Sequence, residues 1–513
     1  MSHLSPIEWI QEIAKNCLNY VSNCALGNTP STDITFLKSS YDNFSKEDLT
    51  TIHTIFSSEF EVQDRILLLS YILQIVNISD FSTDAALQIY NGNFDFYSQI
   101  MLEIQLLFLD NIDYQLRRDI HRKSVSFVSH ELSLDFSYLP LKKRNKKRIA
   151  IITEQLLDNF NHAPTLMTLQ TTYTLQQHFG YEVLLLTCAS NKPLAPTLWT
   201  NTYGFNSGEY GFKKYLFNDV LLPVYQYPLA SCSLDDYKQM MTQIYNWNPL
   251  FVLNMGVNNP IADLPRCFTT VVCRDMSITP PVSEADILIR GMHHDVASEL
   301  IYKKANSPHQ IQVFMTQKFP AITYHSTNIV TRTEFHLPEN KFLIAIVGNH
   351  LDTEIDKGFL ELLFCVLNKN SNIDFVIIGD TSIVQTYFTE TLYQTRVHFL
   401  GYCTDLLGTY QILDLYLNPR RSGGGWSSAI ALKAGLPVIT LPNCDVAYNV
   451  SDNYIVSDYE KMYETIMQYS NDTAYYHRQS KLAKKISVTD TNSKIIEYIT
   501  ELLTRIKEAL PND

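Results

Sequence analysis

The spacing of apolar and polar residues separates a helical part of the chain from two α/β parts. Over residues 1–140 apolar side chains recur every three or four positions, as in "SPIEWIQEIAKNCLNYV". Trp9, Ile13 and Cys17 of that segment fall on one face of a helix, and Ser5-Pro6 is a typical helix start. Because alternating strand patterns are scarce here, residues 1–140 are predicted to form a helical accessory domain.

The rest of the chain alternates short apolar runs with helical patterns, which indicates parallel sheets covered by helices. In residues 148–325 the runs "RIAIIT" and "YEVLLLTC" flank a helical segment that ends at Gly180, and four more strands are expected at "NDVLLPVYQY", "FVLNMG", "TTVVCRD" and "ADILIRG". Residues 330–475 repeat this architecture from "KFLIAIVGN" to "LPVITL". The expected fold class is α/β: two facing Rossmann-like domains, the N-terminal helical domain, and helices over 476–513 that pack back.

Charge and cysteine content narrow the possible partners. The net charge is −13, from 53 acidic and 40 basic residues, which argues against a nucleic acid partner. The nine cysteines form no CxxC pair and no Cys/His cluster with zinc spacing, and no DxD motif stands in a position suited to a metal–sugar complex. We therefore expect no metal and no cofactor, and free thiols in a reducing compartment.

No segment has the features of a signal peptide or a membrane span. The strongest apolar run, Ile66–Val76, has about half of the ~20 residues that a membrane helix needs, and we interpret it as a buried helix. The protein is therefore expected to be cytoplasmic, and peripheral attachment to a membrane stays open. The basic run "PLKKRNKKR" (Pro140–Arg148) is interpreted as a solvated linker, the alternative being contact with an anionic lipid or acceptor.

The segment "LDLYLNPRRSGGGWSSAIALKAGLPVITLPN" (Leu413–Asn443) carries the clearest candidate chemistry. Its three glycines allow a ligand to approach the backbone closely, and its two serines begin a predicted helix, whose N-terminus favours an anion. The two arginines before the glycines are suited to charge-assisted contacts with a diphosphate. Neither a P-loop nor a GxGxxG fingerprint is present.

This segment resembles the donor-binding motif of GT-B glycosyltransferases, with O-GlcNAc-transferase-like and related bacterial enzymes as the closest pattern. "VHFLGY" (Val397–Tyr402) resembles the element by which such enzymes contact the nucleotide base, and "IAIVGN…DKG" (Ile344–Gly358) resembles the first strand of their donor domain. The resemblance implies transfer of a hexose or N-acetylhexosamine from a nucleotide-diphosphate sugar, a UDP-sugar above all, to a protein or surface-glycan acceptor, in a bacterial setting.

The chain departs from this pattern at two places. Ile430 stands where many relatives have a glutamate that binds the ribose, and Asn349-His350 replaces the usual arginine after the first donor strand. Lys357 is therefore chosen as a phosphate cation, with the two arginines as substitutes. The residues assigned to the donor diphosphate are Gly423, Gly424, Gly425, Ser427, Ser428, Lys357, Arg420 and Arg421.

Other candidate residues follow strands in both α/β parts. The residues assigned to nucleotide binding are Leu400-Gly401, Tyr402 and Asn349. The candidate general base is His162, whose ordinary pKa suits neutral pH, with Glu154 and Asp158 as alternatives. The two residues assigned to the acceptor side are Asn254 and Asp275.

Two further functions remain open at this point. The protein is alternatively a non-catalytic GT-B-like subunit that binds and stabilises a partner glycosyltransferase, or a UDP-sugar epimerase. The helical domain is expected to hold an acceptor, a partner subunit or a second copy of the chain. The sequence decides neither the sugar nor whether transfer retains or inverts its configuration.

Overall fold

A computed structural model of the chain forms two compact units. Unit 1 comprises residues 1–276, 280–317 and 499–513, and unit 2 comprises residues 277–279 and 318–498. The structure describes residues 4–25, 34–106, 109, 112–154, 156–157, 162–188, 210–228, 232–256, 259–274, 276, 282–291, 300, 303–304, 306–316, 319–320, 330–379, 381–389, 391–421, 423–487 and 491–510.

Unit 1 begins with helices, which confirms the expected helical region. Trp9 is fully buried, and its indole N–H donates to the carbonyl of Leu37 over 2.9 Å. A π-helical turn, Ile72–Val76, extends the fourth helix, so the apolar run there is a buried helix as expected. The helices are α1 (Pro6–Ala25), α2 (Thr35–Asp42), α3 (Lys46–Ser58), α4 (Val62–Tyr71), α5 (Ser82–Asn91), α6 (Phe96–Gln105) and α7 (Tyr114–Glu131).

Unit 1 continues with an eight-stranded sheet in the order β3-β4-β2-β1-β5-β6-β7-β8. Its central strand β1 is apolar on both faces, which is typical of a parallel strand covered by helices. The strands are β1 (Arg148–Thr153), β2 (Glu182–Thr187), β3 (Gly211–Phe217), β4 (Val220–Gln226), β5 (Val252–Met255), β6 (Val271–Arg274), β7 (Ile287–Arg290) and β8 (Ile311–Phe314). The helices are α8 (Ala163–Gln177), α9 (Leu234–Trp247) and α10 (Pro260–Asp263).

The sheet of unit 1 was expected to be parallel, and this was wrong for the strand at one edge, β3. Strands β3 and β4 are antiparallel and form a hairpin. The two turn residues, Asn218 and Asp219, have φ values of 47° and 61°, as a two-residue type I′ turn requires. Strand β3, "GFKKYLF", was missed because its lysines interrupt the apolar pattern that identifies a buried strand.

The basic run Pro140–Arg148 is more than the solvated linker expected. Arg144 is buried, and its guanidinium donates to the carbonyls of Leu139 (2.7 Å) and Leu250 (3.1 Å) and to the hydroxyl of Thr270 (2.7 Å). Its lysines are exposed. One arginine of the run therefore fixes the chain where β5 and β6 begin.

Unit 2 contains a five-stranded sheet, parallel throughout, in the order β11-β10-β9-β12-β13. Its strands are β9 (Phe342–Val347), β10 (Ile373–Ile378), β11 (Val397–Gly401), β12 (Leu415–Leu417) and β13 (Val438–Ile439). Its helices are α11 (Leu351–Glu354), α12 (Lys357–Lys369), α13 (Ser382–Thr386), α14 (Leu406–Tyr410), α15 (Gly425–Ala434), α16 (Asp445–Asn449), α17 (Tyr459–Asn471), α18 (Thr473–Ser487) and the beginning of α19 (Thr491–Ala509).

The C-terminal segment is helical as expected, and the last part of α19, from Ile499 onward, belongs to unit 1. The apolar spacing of "SIVQTYFTETLYQ" predicts a helix over the whole segment, but α13 ends at Thr386 and turns follow. None of the helices described is both long enough and apolar enough to span a bilayer.

Candidate functional site

The glycine run of unit 2 connects the end of a central strand to the start of a helix. Strand β12 ends at Leu417, and α15 begins at Gly425. The residue that precedes the helix, Gly424, has φ +91° and offers no side chain to cap the first turn. An uncapped helix N-terminus presents backbone N–H groups and a positive dipole end, so this turn is suited to an anion.

Arg421, one of the two arginines before the glycines, is buried and bonded within the protein. Its side chain is 3% exposed, and one guanidinium nitrogen (Nη1) lies 2.6 Å from Oε2 of Glu354. It also donates to Oδ1 of Asn418 (2.9 Å), to the carbonyl of Val347 (2.6 Å) and to the hydroxyl of Tyr416 (3.2 Å). Burial alone would lower the pKa of Arg421, but Tyr416 and Glu354 raise it above its ordinary value.

Two glycines are required by the position of this guanidinium. A Cβ on Gly348 would lie 2.2 Å from Nη1 of Arg421, and a Cβ on Gly424 would lie 2.6 Å from Nη2. Gly379 is equally constrained, because a Cβ there would lie 1.9 Å from the carbonyl oxygen of Gly348. The strand ends of β9, β10 and β12 thus meet at a surface of nearly bare backbone around one buried cation.

The two serines bond within the first turn of α15. The hydroxyl of Ser427 donates to the carbonyl of Gly424 (2.9 Å) and lies 2.9 Å from the hydroxyl of Tyr416. Ser428 is fully buried, and its hydroxyl donates to the carbonyl of Gly425 over 2.8 Å. Their assignment to the diphosphate stays a prediction, and in this geometry both hydroxyls already donate to backbone carbonyls of the turn.

The remaining candidate cations lie near the start of α12. Arg420 is exposed, and its backbone N–H donates to the hydroxyl of Tyr459 (3.3 Å), which in turn donates to Asp356 (2.8 Å). Asp356 caps α12, whose first residue is Lys357. The side chain of Lys357 is 89% exposed and lies 3.8 Å from Glu361. Arg420 and Lys357 therefore belong to one exposed edge of unit 2.

The residues assigned to the nucleotide follow the neighbouring strands. Strand β11 ends at Gly401, which has φ +66° and open space where a side chain would project. Tyr402 is 49% exposed, and Asn349, after β9, is exposed too. With strands about 5 Å apart, the ends of β11 and β12 are roughly 15 Å apart across the sheet. In the second turn of α15 the partly buried Ile430 brings no carboxylate to this edge.

The candidate base of unit 1 is the N-cap of a helix. Nδ1 of His162 accepts from the backbone N–H of Thr165 (3.4 Å) and lies 2.9 Å from its hydroxyl. Burial lowers the pKa of His162 to about 4. With Nδ1 accepting, the neutral ring carries its proton on Nε2, so this imidazole is arranged as a hydrogen-bond donor rather than as a base.

The other candidates of unit 1 lie at strand ends or outside the described residues. Glu154 follows β1 and is buried against Gly256, where a Cβ would lie 1.7 Å from Oε2 of Glu154. Asn254, in β5, is fully buried and donates to Asp263 (3.3 Å). Asp158 and Asp275 lie outside the described residues. All four assignments stay predictions.

One charged cluster in unit 1 was missed from the sequence. His121 of α7 is fully buried, with Nδ1 2.7 Å from Glu103 of α6 and Nε2 2.7 Å from Asp263 of α10. Burial would lower its pKa, but the two carboxylates raise it to about 10. No local motif predicts this cluster, because its members are 18 and 142 residues apart.

In unit 2, Glu354 and Asn418 were also missed. In the sequence, Asn418 is the asparagine at the end of the strand "LYLNP", and Glu354 is an acidic residue shortly after "IAIVGN". Neither position indicates a function by itself, because their common contact with Arg421 exists only in the folded chain. Among the described residues, no group of three or more His, Cys, Asp and Glu side chains is arranged to hold a metal ion.

Comparison with known proteins identifies the fold. Residues 342–472, which include the glycine run, match the family described as Glycosyl transferases group 1. An O-GlcNAc transferase mutant from Thermobaculum terrenum superposes with a TM-score of 0.52 at 13% identity, covering 99% of this chain and 98% of that one. The chain has the GT-B fold.

Two other GT-B neighbours cover less of the chain. A glycosyltransferase from Rickettsia africae has a TM-score of 0.49 at 12% identity, with 72% of this chain and 100% of that chain covered. Anabaena HepE, solved with UDP-glucose, has a TM-score of 0.45 at 12% identity, with 70% and 99% covered. No curated protein sequence matches the chain significantly.

Proposed function

We propose that the protein is a glycosyltransferase that moves a hexose or N-acetylhexosamine from a nucleotide-diphosphate sugar, a UDP-sugar first of all, to a protein or surface-glycan acceptor. The observation that carries this proposal is the glycine run of unit 2. It joins a strand end to an uncapped helix N-terminus within the segment that matches Glycosyl transferases group 1. Such a turn is suited to stabilising the negative charge of a departing diphosphate.

In this proposal the donor lies along the carboxyl edge of the unit 2 sheet. The diphosphate contacts the backbone of Gly423, Gly424 and Gly425, and Arg420 and Lys357 supply exposed positive charge. The nucleotide extends toward Gly401 and Tyr402, where the backbone is open. No metal is required, since the cations and helix dipole neutralise the leaving group.

The acceptor is proposed to be activated at the strand ends of unit 1. His162 acts there through its Nε2–H as a donor, with Glu154 or Asp158 as the base. A cytoplasmic location, with a partner or a second copy held by the helical region, completes the proposal.

A second function is favoured by two specific features of the donor edge. Ile430 brings no carboxylate to the ribose, and Arg421 already has four partners within the protein. A GT-B-like subunit that stabilises a partner enzyme without transferring sugar would tolerate both features. This candidate predicts weak donor binding and no turnover by the protein alone.

A panel of nucleotides and nucleotide sugars separates the candidates. Calorimetry on the full chain should give the tightest binding for UDP or a UDP-sugar, and mass spectrometry should then detect hydrolysis or transfer of that sugar. Failure of every nucleotide diphosphate to bind would contradict the glycosyltransferase. Binding without turnover, with activity restored by a partner enzyme, would support the non-catalytic subunit, and an isomerised sugar formed without acceptor would indicate an epimerase.

A further inference from the structure

The carboxylate of Glu354 lies at the place where a donor diphosphate would approach. We propose that donor binding exchanges the Glu354–Arg421 ion pair for a phosphate–Arg421 contact, so that Glu354 is an internal competitor of the diphosphate. This inference rests on the proposed function, because it concerns the same site. It explains how that site favours a negatively charged ligand over a neutral one.

Both carboxylate oxygens of Glu354 face the glycine run or its cation. Oε2 accepts from Nη1 of Arg421 over 2.6 Å, and Oε1 lies 3.3 Å from the point where a Cβ on Gly423 would be. A diphosphate bound to the backbone of the glycine run would bring its anionic oxygens next to this carboxylate. Like charges at such short range repel, so the carboxylate and the diphosphate exclude each other.

The cation stays in place when the carboxylate leaves. Arg421 keeps its contacts with Asn418, Tyr416 and the carbonyl of Val347, which use Nε and Nη2. Only Nη1 loses its partner, and a phosphate oxygen satisfies it equally well. Because a buried cation without an anionic partner is costly, the exchange is favourable only for a ligand that brings negative charge.

The side chain of Glu354 is able to move without unfolding its helix. It is the more exposed partner, at 21% against 3% for Arg421, and it is the last residue of α11. The helix itself is anchored by the buried Leu351 and by Asp352, which accepts from the backbone N–H of Val384 over 2.8 Å. A rotamer change of Glu354 therefore suffices, and such changes are fast for partly exposed side chains.

The exchange has a measurable consequence for specificity. A diphosphate displaces the carboxylate and replaces its charge, whereas an uncharged nucleoside leaves the ion pair intact. Neutralising Glu354 should therefore strengthen the binding of anionic ligands and leave the binding of a neutral ligand unchanged. A purely structural role for the ion pair gives the opposite sign, since loosening the cradle weakens every ligand.

The test uses calorimetry on the full chain with UDP, inorganic pyrophosphate and uridine. We expect Glu354→Gln to bind UDP and pyrophosphate about tenfold more tightly than the wild type, with uridine unchanged. Glu464→Gln is the matched control, because it also removes one carboxylate and one ion pair, Lys461–Glu464, from unit 2. It should bind all three ligands like the wild type, and circular dichroism checks that each variant is folded.

Three results would overturn the exchange. They are unchanged or weaker UDP binding by Glu354→Gln, an equal gain for uridine, and a double variant, Glu354→Gln with Arg421→Met, that binds UDP as tightly as Glu354→Gln alone. The double variant carries no unpaired buried charge, so it tests Arg421 without a stranded carboxylate. Absence of binding by the wild type and by every variant would instead overturn the proposed function, and the exchange with it.

Discussion

His121 in unit 1 and Arg421 in unit 2 are both buried cations held by carboxylates, but only the arginine has a partner that solvent reaches. Both partners of His121, Glu103 and Asp263, have side chains at most 1% exposed. Glu354, the partner of Arg421, is 21% exposed. The enclosed cluster joins α6, α7 and α10 through side chains that are at most 1% exposed, whereas the open pair borders the glycine run.

This difference suggests how to distinguish a structural charge cluster from a functional one. A fully enclosed cluster contributes to stability alone, and removing one member leaves the other charges buried without compensation. An open pair contributes less to stability, because solvent screens it, but its exposed member is able to change partners. The expected effects of substitution therefore differ in size and in kind.

The largest expected effect is on folding, from His121→Ala. The substitution leaves two carboxylates buried without their cation, so the free energy of unfolding should fall by about 3–5 kcal/mol. Urea unfolding followed by tryptophan fluorescence measures it, and His130→Ala, an 87% exposed histidine on the same helix, is the control. A loss no greater than that of the control would mean that the cluster is not ionised as inferred.

The second effect is a loss of stability at alkaline pH. The folded pKa of His121, about 10, lies above its ordinary value, so its stabilising contribution is complete below about pH 6.5 and is lost as the pH rises toward 10. The urea midpoint of the wild type should fall over this range, and His121→Ala should lose that slope. His162 has the opposite effect, because burial lowers its pKa to about 4. The neutral buried ring therefore destabilises the folded protein only as the pH falls below about 6.5 toward 4, where the unfolded chain binds the proton more tightly.

The third effect concerns the packing around Arg421. Gly348→Ala places a Cβ 2.2 Å from Nη1, so the guanidinium must shift, at a cost of about 1–3 kcal/mol. UDP affinity should fall with it. Gly291→Ala, where no atom of the described residues lies within 4 Å of the added atom, should leave both the urea midpoint and UDP affinity unchanged. Equal behaviour of the two variants would refute the close approach.

The fourth effect is smaller because solvent screens the open pair. Glu354→Gln should lower the unfolding free energy of the ligand-free protein by about 1 kcal/mol, since Arg421 keeps three uncharged partners. Thermal unfolding should therefore show a lower midpoint without ligand and a larger UDP-induced shift than in the wild type. If Glu354→Gln lowered the free energy of unfolding as much as His121→Ala does, the open and the enclosed ion pairs would not differ in their contribution to stability.

The smallest effect is expected at the exposed cation. Arg420→Ala should weaken UDP binding by about two- to fivefold at low salt, and the difference should vanish as the salt concentration rises, because exposed charges are screened. Stability should not change. A salt-independent loss would place Arg420 in direct contact with the diphosphate.

Much of the fold was predictable from the sequence because most strands of both sheets are continuous apolar runs between turn signals. The run "RIAIIT" is β1, and "KFLIAIVGN" contains β9. Strand β3 was missed because it is an edge strand whose apolar residues are interrupted by Lys213 and Lys214, and three of its seven residues are exposed. The helix after β10 was predicted to be longer than it is, because the apolar pattern alone does not indicate the turns that follow Thr386.

The candidate site was predictable only in part. The glycine run was visible because three glycines before a helical segment require an unusual backbone. The different roles of Arg420 and Arg421 could not be predicted, because two adjacent residues of the same type have the same sequence surroundings. In the folded protein Arg420 is exposed and Arg421 is buried.

The sequence by itself determined most of the order of helices and strands, the glycine run and the absence of a P-loop, because these depend on residues close together in the chain. Only the tertiary structure decided which charges are paired. Glu354 meets Arg421 across 67 residues, and His121 meets Asp263 across 142. Periodicity carries no information about such partners, because burial and charge pairing are set by how strands and helices pack. For that reason only the folded chain brings the carboxylate of Glu354 beside the glycines, where we propose that it competes with a diphosphate.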